Sequence, residues 1–485
     1  MKSHGVKKNL VFQFTYQFII LVIPLVISPY LTRTLGETAI GEYAYANSIA
    51  YYFVLICMLG IVKHGQRVIA SKRNDDIELR KTFWSLFSVH VFFSIIGMIG
   101  YIIFCCFIVD NNPIIYYTQG LYVFSAFFDI TWLFYGIECF KSVIIRNILV
   151  KITELFLIFT TVKSNNDIVL YSLIMSTSTL VSYISLFPTA MRLVKPIKFG
   201  IKDIKEHIKP LFMLSLSVVA ISLYTVFDKT LLGLLSTKES VAYYEYSNKI
   251  INIPKVFVTV IGTVLFPRSC NCIANNDFDG SKRYYKYSLA AVYFIGCASV
   301  FGLLGVSDLF AVVYYGKDFA ICGSIIKSLT PIILIIGIGD IFRMQFLIPM
   351  RKDIEYIICI LINAVINIVL STWLIPIIGI YGAVIGTTCA EIFGMIYQLL
   401  LIKKYISIRS TIGQFVPFAV SGLIMWGSIE LIKAYANINI LHLSIQMIVG
   451  VFNYITVLLI WFIGISKHKS TNRKMLKRLL RISNC

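Results

Sequence analysis

Charge is scarce in this chain. Only 14% of its 485 residues are Asp, Glu, Lys or Arg, and 58% are hydrophobic. A soluble domain carries about 25% charged residues, so this balance excludes a water-soluble globule. Acids are the rarer sign, 24 against 44 Lys and Arg. The cationic excess does not mark a nucleic-acid binder, which gathers its cations on one face of a folded module; here they sit in loops between apolar runs. Long loops are missing too. The longest internal connection, Met191 to Lys209, leaves no room for a catalytic domain outside the membrane. There is no glycine-rich phosphate loop for ATP, and no cofactor is expected. Eleven cysteines lie mostly inside the apolar runs, where a thiol behaves as a small apolar residue. Cys270 and Cys272, the nearest pair in a loop, have no histidine beside them, so no metal site is expected.

What the chain has in abundance is apolar sequence of one length. A bilayer core takes about 20 helical residues to cross, and backbone groups in lipid must bond within their own helix. Fourteen stretches meet that requirement. The first seven are Leu10–Thr32, Ile40–Val62, Phe83–Ile108, Ile114–Ile137, Val143–Val162, Ile168–Ala190 and Pro210–Leu232. The others are Tyr244–Phe266, Tyr284–Val306, Ala320–Ile348, Tyr356–Ile375, Gly379–Ile402, Phe415–Ile432 and Leu443–Ile465. An all-α integral membrane protein of about 14 transmembrane helices is expected. The first stretch follows Lys2, Lys7 and Lys8 as a signal peptide would, but its length, Pro24 and the lack of a small-x-small cleavage site read as a retained span. Alternate loops hold nearly all the Lys and Arg. The opposite set holds only Arg33, Lys163, Lys238, Lys317 and Lys433, so both termini are expected on the cytoplasmic side.

Between the sixth and seventh spans, Ile201, Ile204 and Ile208 share one helical face with Lys202, Lys205 and Lys209 beside it, predicting a short helix lying on the inner surface. It divides two halves that show a faint repeat. Tyr43, Tyr45, Asn47, Ile49, Arg67, Asn74 and Asp76 are matched at one constant offset by Tyr244, Tyr246, Asn248, Ile250, Arg268, Asn275 and Asp277. Six spans return the chain to its starting side, so the copies would be parallel, related by a pseudo-twofold axis along the membrane normal. The expected organisation is a six-helix bundle over 1–190, the amphipathic linker 191–209, a second six-helix bundle over 210–402, two added helices over 403–466 and a basic tail over 467–485. Within the tail, Met475, Leu479 and Ile482 share a face among Lys474, Lys477, Arg478 and Arg481, as in a helix resting on anionic lipid.

An ionised side chain at mid-membrane costs roughly 2.5–3.5 kcal/mol on insertion scales, so each needs a partner, a cavity or the interface. Lys151 with Glu154 and Asp340 with Arg343 are i, i+3 neighbours and read as local pairs, while Asp228 and Lys229 are read as reaching for the outer interface. No local partner is evident for Lys249, Lys255, Lys327, Asp129 or Glu391. Asn248, Asn252 and Lys255 make one polar stripe, the best candidate for a cavity wall, with packing against Glu391 or Asp129 as a buried ion pair left open. Asn363 and Asn367 form a second stripe suited to interhelical hydrogen bonds. Asp129 and Glu391 are the candidates for ion or proton coupling. His90 reads as a core residue.

Two segments resemble the opening of bacterial Wzx-type polysaccharide flippases: Ser28-Pro29-Tyr30-Leu31-Thr32-Arg33-Thr34-Leu35-Gly36 with Gly41-Glu42-Tyr43, and Gly65-Gln66-Arg67-Val68-Ile69-Ala70. Asp228-Lys229-Thr230-Leu231-Leu232-Gly233, with Tyr246, Lys249, Ile250 and Phe266-Pro267-Arg268, is similar to the start of that family's second half. The resemblance implies the multidrug/oligosaccharidyl-lipid/polysaccharide (MOP) exporter superfamily, with two six-helix bundles around a central cavity plus two C-terminal helices. It implies a substrate as well, an oligosaccharide repeat unit on undecaprenyl pyrophosphate, flipped by alternating access across the bacterial cytoplasmic membrane for capsule, O-antigen or other surface polysaccharide. Membrane lipids, a polysaccharide polymerase and assembly proteins are the implied partners. Relatives hold the pyrophosphate with cavity cations, and the candidates here are Lys249, Lys255 and Arg268, then Arg33, Arg67 and Lys229, with Asn248 and Asn252 beside them. The sequence does not choose between membrane potential and an ion gradient as the drive. The alternatives are a lipid II flippase or multidrug exporter of the same superfamily, and beyond them a polysaccharide polymerase or a non-transporting scaffold.

Overall fold

A computed structural model describes residues 20, 22–109, 113–433 and 438–466. Among them every regular element is helical, and ten helical stretches are long and apolar enough to cross a membrane, including Asp76–Phe107, Phe278–Tyr315 and Asp353–Ile378. Their outward faces are greasier than their inward ones. On Asp76–Phe107, Phe92, Ile95, Ile96, Ile99 and Ile103 are exposed while Ser85, His90 and Ser94 are buried. Val365, Val369, Trp373 and Ile377 make a similar exposed stripe on Asp353–Ile378. A helix in water turns its apolar face inward; this inversion belongs to a multi-pass membrane protein.

The chain forms two compact units, the first running through Glu245 with Ile375–Ile380 added, the second Tyr246–Leu374 and the chain from Tyr381. In the first, α1 (22–34), α2 (Gly36–Met58), α3 (Ile61–Lys72), α4 (Asp76–Phe107), α5 (Pro113–Ser125) and α6 (Thr131–Gly136) are followed by α7 (Phe140–Thr161), α8 (Ile168–Ile184), α9 (Phe187–Leu193) and α10 (Ile201–Leu235). Two left-handed residues, Leu59 (φ 32°) and Gly60 (φ 70°), break α2 from α3. Gly60 is also where α10 crosses: a Cβ there would lie 2.9 Å from the Ser215 nitrogen. Further along, α3 rests on α6, and the indole of the fully buried Trp132 fills the space a side chain at Gly65 would take. Ile61, Ile69, Phe83, Leu86 and Phe134 close around that ring as the first core. A second core joins Ala50, Cys57, Tyr101, Cys105 and Val123.

The structure departs from two sequence expectations here. Ile114–Ile137 is not one helix: α5 stops at Ser125 and a single 3-10 turn, Ala126–Phe128, leads to Asp129. The Asp129 carboxylate then accepts from the Thr131 backbone N–H (3.0 Å) and hydroxyl (2.6 Å), capping the start of α6. The amphipathic segment 201–209 is not a separate helix either; it forms the opening turns of α10, which runs on through Pro210. Ile204 packs against the first core while Ile201 and Ile208 stay exposed. The start of the first span and the basic tail, Arg473 to Ile482, lie outside the described residues.

The second unit holds the rest of α11 (Lys238–Ala274), then α12 (Phe278–Phe310), α13 (Cys322–Leu329), α14 (Pro331–Phe342), α15 (Asp353–Ile378, to Leu374 in this unit), α16 (Ile380–Ile402), α17 (Ile408–Lys433) and α18 (Ile440–Ser466). Helix α12 is its hub, packed against α13, α14, α17 and α18. Small residues permit this closeness: side chains at Gly302 and Gly305 would run into Met425 and Ile429 of α17. The acids matched in the proposed repeat do not act alike: Asp277 caps α12 through Gly280, whereas Asp76 pairs with Arg80 and the cap of α4 is its neighbour Asp75. Helix α11 also runs unbroken where the first half divides at Leu59–Gly60.

Candidate functional site

Three of the predicted site cations of the second unit lie on α11. Lys249 lays its ammonium on the Tyr246 ring, 4.0 Å from the centroid, an arrangement that keeps a cation dehydrated at modest cost. Less than two turns on, Lys255 is partly buried, with Glu391 of α16 as the acid whose charge reaches it. Asn248 is partly buried and Asn252 exposed, and Arg268, exposed, stacks over Tyr284 at 5.9 Å. The three cations share α11 but not one face: at about 100° per residue Lys249 and Arg268 each lie more than about 100° round the helix from Lys255, so only Lys255 belongs to the stripe of Asn248 and Asn252.

The first unit contains an aromatic cavity that the sequence reading did not single out. A half-open cavity of about 610 Å³ lies between Tyr45 and Tyr52 of α2, Phe104 of α4, Tyr116 of α5, Thr230 of α10, and Glu42 and Lys238. The Lys238 ammonium sits 3.3 Å from the centre of the Tyr45 ring and donates to the Gly233 carbonyl at 3.0 Å. Tyr52 bonds Thr230 at 2.9 Å, tying α2 to α10. Gly41 is what lets Lys238 come so near, because any side chain there would overlap the Lys238 carbonyl. The repeat pairs Tyr45 with Tyr246 but not their lysines, since the positions matching Lys249 and Lys238 hold Ser48 and Glu37.

Other sequence candidates find partners. Lys229 is held by Glu245 at 2.9 Å, and Asp228 accepts from the Tyr244 hydroxyl at 2.6 Å. Lys327 has a partner that sequence distance concealed: Asp308 takes both Lys327 (2.6 Å) and Lys433 (2.7 Å). The two i, i+3 pairs form as expected, Lys151 with Glu154 at 2.8 Å and Asp340 with Arg343. Arg33 and Arg67 are exposed, Arg33 donating to the Pro29 carbonyl at 3.4 Å. Asp129 is buried and occupied by Thr131. Asn367 reaches Thr387 of α16 at 3.1 Å, the interhelical bond expected of its stripe. His90 is buried with its ring edge-on to Phe87.

Two family profiles match long stretches of the chain: polysaccharide biosynthesis protein over residues 6–271, and lipid II flippase MurJ over residues 140–446. The chain belongs to the polysaccharide biosynthesis protein family. Its likeness to Wzx-type flippases of the MOP superfamily therefore stands. Among individual relatives, a provisionally named O-antigen transporter of Shigella dysenteriae is 24% identical over 400 residues, covering 82% of this chain and 100% of that protein. A flippase of Haloferax volcanii named for low-salt glycan biosynthesis is 23% identical over 47% of this chain and 48% of its own. These relatives are transporters by name. The solved lipid II flippase MurJ, in an inward closed conformation, shares the fold at a TM-score of 0.77 and 16% identity, over 94% of this chain and 99% of that one. An inward-facing multidrug transporter of the MOP superfamily follows at 0.60 and 12% identity, over 80% and 95%.

Proposed function

We propose that this protein is a flippase that carries oligosaccharide repeat units on undecaprenyl pyrophosphate from the inner to the outer leaflet of a bacterial cytoplasmic membrane, for O-antigen, capsule or another surface polysaccharide. The observation that carries the reading is the likeness to the Shigella O-antigen transporter across that relative's whole length, within a family shown by its profile. The termini face the cytoplasm, and the protein works by alternating access with cations that take the pyrophosphate, since a doubly charged head group cannot cross hydrocarbon without partners. Lys255 holds the phosphates with Lys249 reaching from the neighbouring face, Asn248 and Asn252 meet the first sugar, and Arg268, about 20 Å further along the helix from Lys255, meets the head group at another point of its path. Glu391 balances Lys255 while the site is empty and gives way when the anion arrives. Arg33 and Arg67 act at the entrances. The aromatic rings around Lys238 suit the stacking of sugar faces.

Deleting the gene tests the reading: lipid-linked repeat units should accumulate on the inner leaflet, with surface polysaccharide lost. Unchanged lipid-linked intermediates would overturn it. Replacing Lys255 with Ala removes one charge-assisted phosphate contact, worth about 1.5–3 kcal/mol, and should lower transport ten- to hundredfold with protein levels maintained; a passive scaffold would tolerate the change. The MurJ profile over residues 140–446 favours one second reading, a lipid II flippase. That activity would make the gene essential for growth and let it complement loss of a lipid II flippase.

A further inference from the structure

On the second unit, away from the α11 stripe, the start of α12 and the turn before α17 enclose a cavity of about 310 Å³. Its wall carries Lys282 and Lys286 from α12 and Lys404 from the loop, with Tyr285, Ser407 and Thr411 supplying hydroxyls, and no acid lines it. Tyr285 is buried and its hydroxyl meets Thr411 at 2.9 Å, which fixes one edge. On the opposite edge Gln414 donates to the Lys286 carbonyl at 3.0 Å and binds the two helices together. The acid that approaches is Asp279, highly exposed and 3.4 Å from Lys282, a contact water weakens. Lys282, Lys286 and Lys404 are solvent-exposed, and with no acid in the lining their shared positive charge attracts an anion to the recess. Both chain segments belong to the lysine-rich set of loops, which the charge rule assigns to the inner leaflet.

We propose that this cavity is a resident site for the phosphodiester head group of an anionic phospholipid of the inner leaflet. The lysines supply charge, the Ser407 hydroxyl donates to a phosphate oxygen while those of Tyr285 and Thr411 are spent on Thr411 and on the Ser407 carbonyl, and the acyl chains lie against the exposed apolar faces of the neighbouring spans, such as Ile412 and Val416 of α17. Basic recesses between membrane helices are suited to such head groups. The inference uses the proposed orientation but not the proposed cargo, so it can fail while the flippase reading stands.

The test is lipid retention by the full-length protein, purified in mild detergent and examined by native mass spectrometry with added phosphatidylglycerol, cardiolipin or phosphatidylcholine. An anionic lipid should stay bound and the zwitterionic one should not. A triple variant, Lys282→Gln with Lys286→Gln and Lys404→Gln, should weaken retention roughly hundredfold, each lysine near an anionic surface counting about fivefold. The triple Lys→Arg variant should keep it. If the Gln variant is lost to misfolding, Lys404→Glu alone carries the test, with at least a tenfold loss expected. Equal retention by wild type and the Gln or Glu variant overturns the site. Displacement of the lipid by millimolar inorganic phosphate would assign the cavity to a free anion and overturn the lipid source.

Discussion

Asp308 is the acid on which two distant lysines converge, and its replacement by Asn should expose how they are balanced. Lys327 and Lys433 reach it at 2.6 and 2.7 Å, and the three side chains are 29–41% exposed. At that exposure each pair contributes about 0.2–1 kcal/mol. Asp308→Asn removes both attractions and leaves two ammonium groups beside a neutral amide, a loss of about 1–2 kcal/mol in all. The two lysines differ in what they retain. Lys433 still has Glu430 at 3.6 Å, whereas Lys327 has no second ion pair among the described residues. Adding Lys327→Met to Asp308→Asn should therefore restore more stability than adding Lys433→Met. Thermal melting of the detergent-purified variants reads this directly. The difference should shrink at about 1 M salt, where the screening length falls to about 3 Å. If Asp308→Asn melts with the wild type at low salt, or if the two rescues are equal, the assignment of Asp308 as the shared counter-ion is wrong.

Three other outcomes are expected. Gly65→Ala forces a methyl into the Trp132 ring, 2.7 Å from its nearest atom, and should cost about 1–3 kcal/mol; Trp132→Leu should recover part of that in a double variant, and additive losses would refute the contact. His207 lies before the span that begins at Pro210, 3.1 Å from both His64 and Ser85. Burial holds its imidazole below the ordinary 6.5, against the upward pull of Glu206 and Asp203. The unfolded chain then takes up a proton first as pH falls, so stability is full above 6.5 and declines as acid approaches the folded value; melting against pH should be flatter in His207→Gln, and identical profiles would exclude this histidine. Gly41→Val should disturb the Lys238–Tyr45 contact and quench transport more than it lowers expression, whereas proportional losses would mark the glycine as structural only.

Much of this architecture was legible because span length is a property of the one-dimensional chain. Local ion pairs were legible for the same reason: Lys151–Glu154 and Asp340–Arg343 lie within one helical turn. The partner of Lys327 was hidden because Asp308 belongs to a different helix. Periodicity could not reveal the break at Asp129, which a side-chain cap makes without proline or glycine. Conversely Pro210 looked like a boundary and lies inside α10, since proline removes only one ladder bond. Lys238 read as an isolated outer-loop charge until Gly41 brought its backbone against α2 and set its ammonium on Tyr45.

Transport itself is the most direct test of the central claim that membrane-depth cations pass a lipid-linked phosphate from one leaflet to the other. Purified protein can be reconstituted into vesicles loaded with a lipid-linked oligosaccharide in one leaflet, and a membrane-impermeant glycosidase added outside then reports how much has crossed. Wild type should render the glycan accessible on both sides within the assay. Lys255→Ala should slow that conversion ten- to hundredfold, as one lost charge-assisted contact implies. Equal rates for protein-free and wild-type vesicles, or for wild type and Lys255→Ala, would contradict the account.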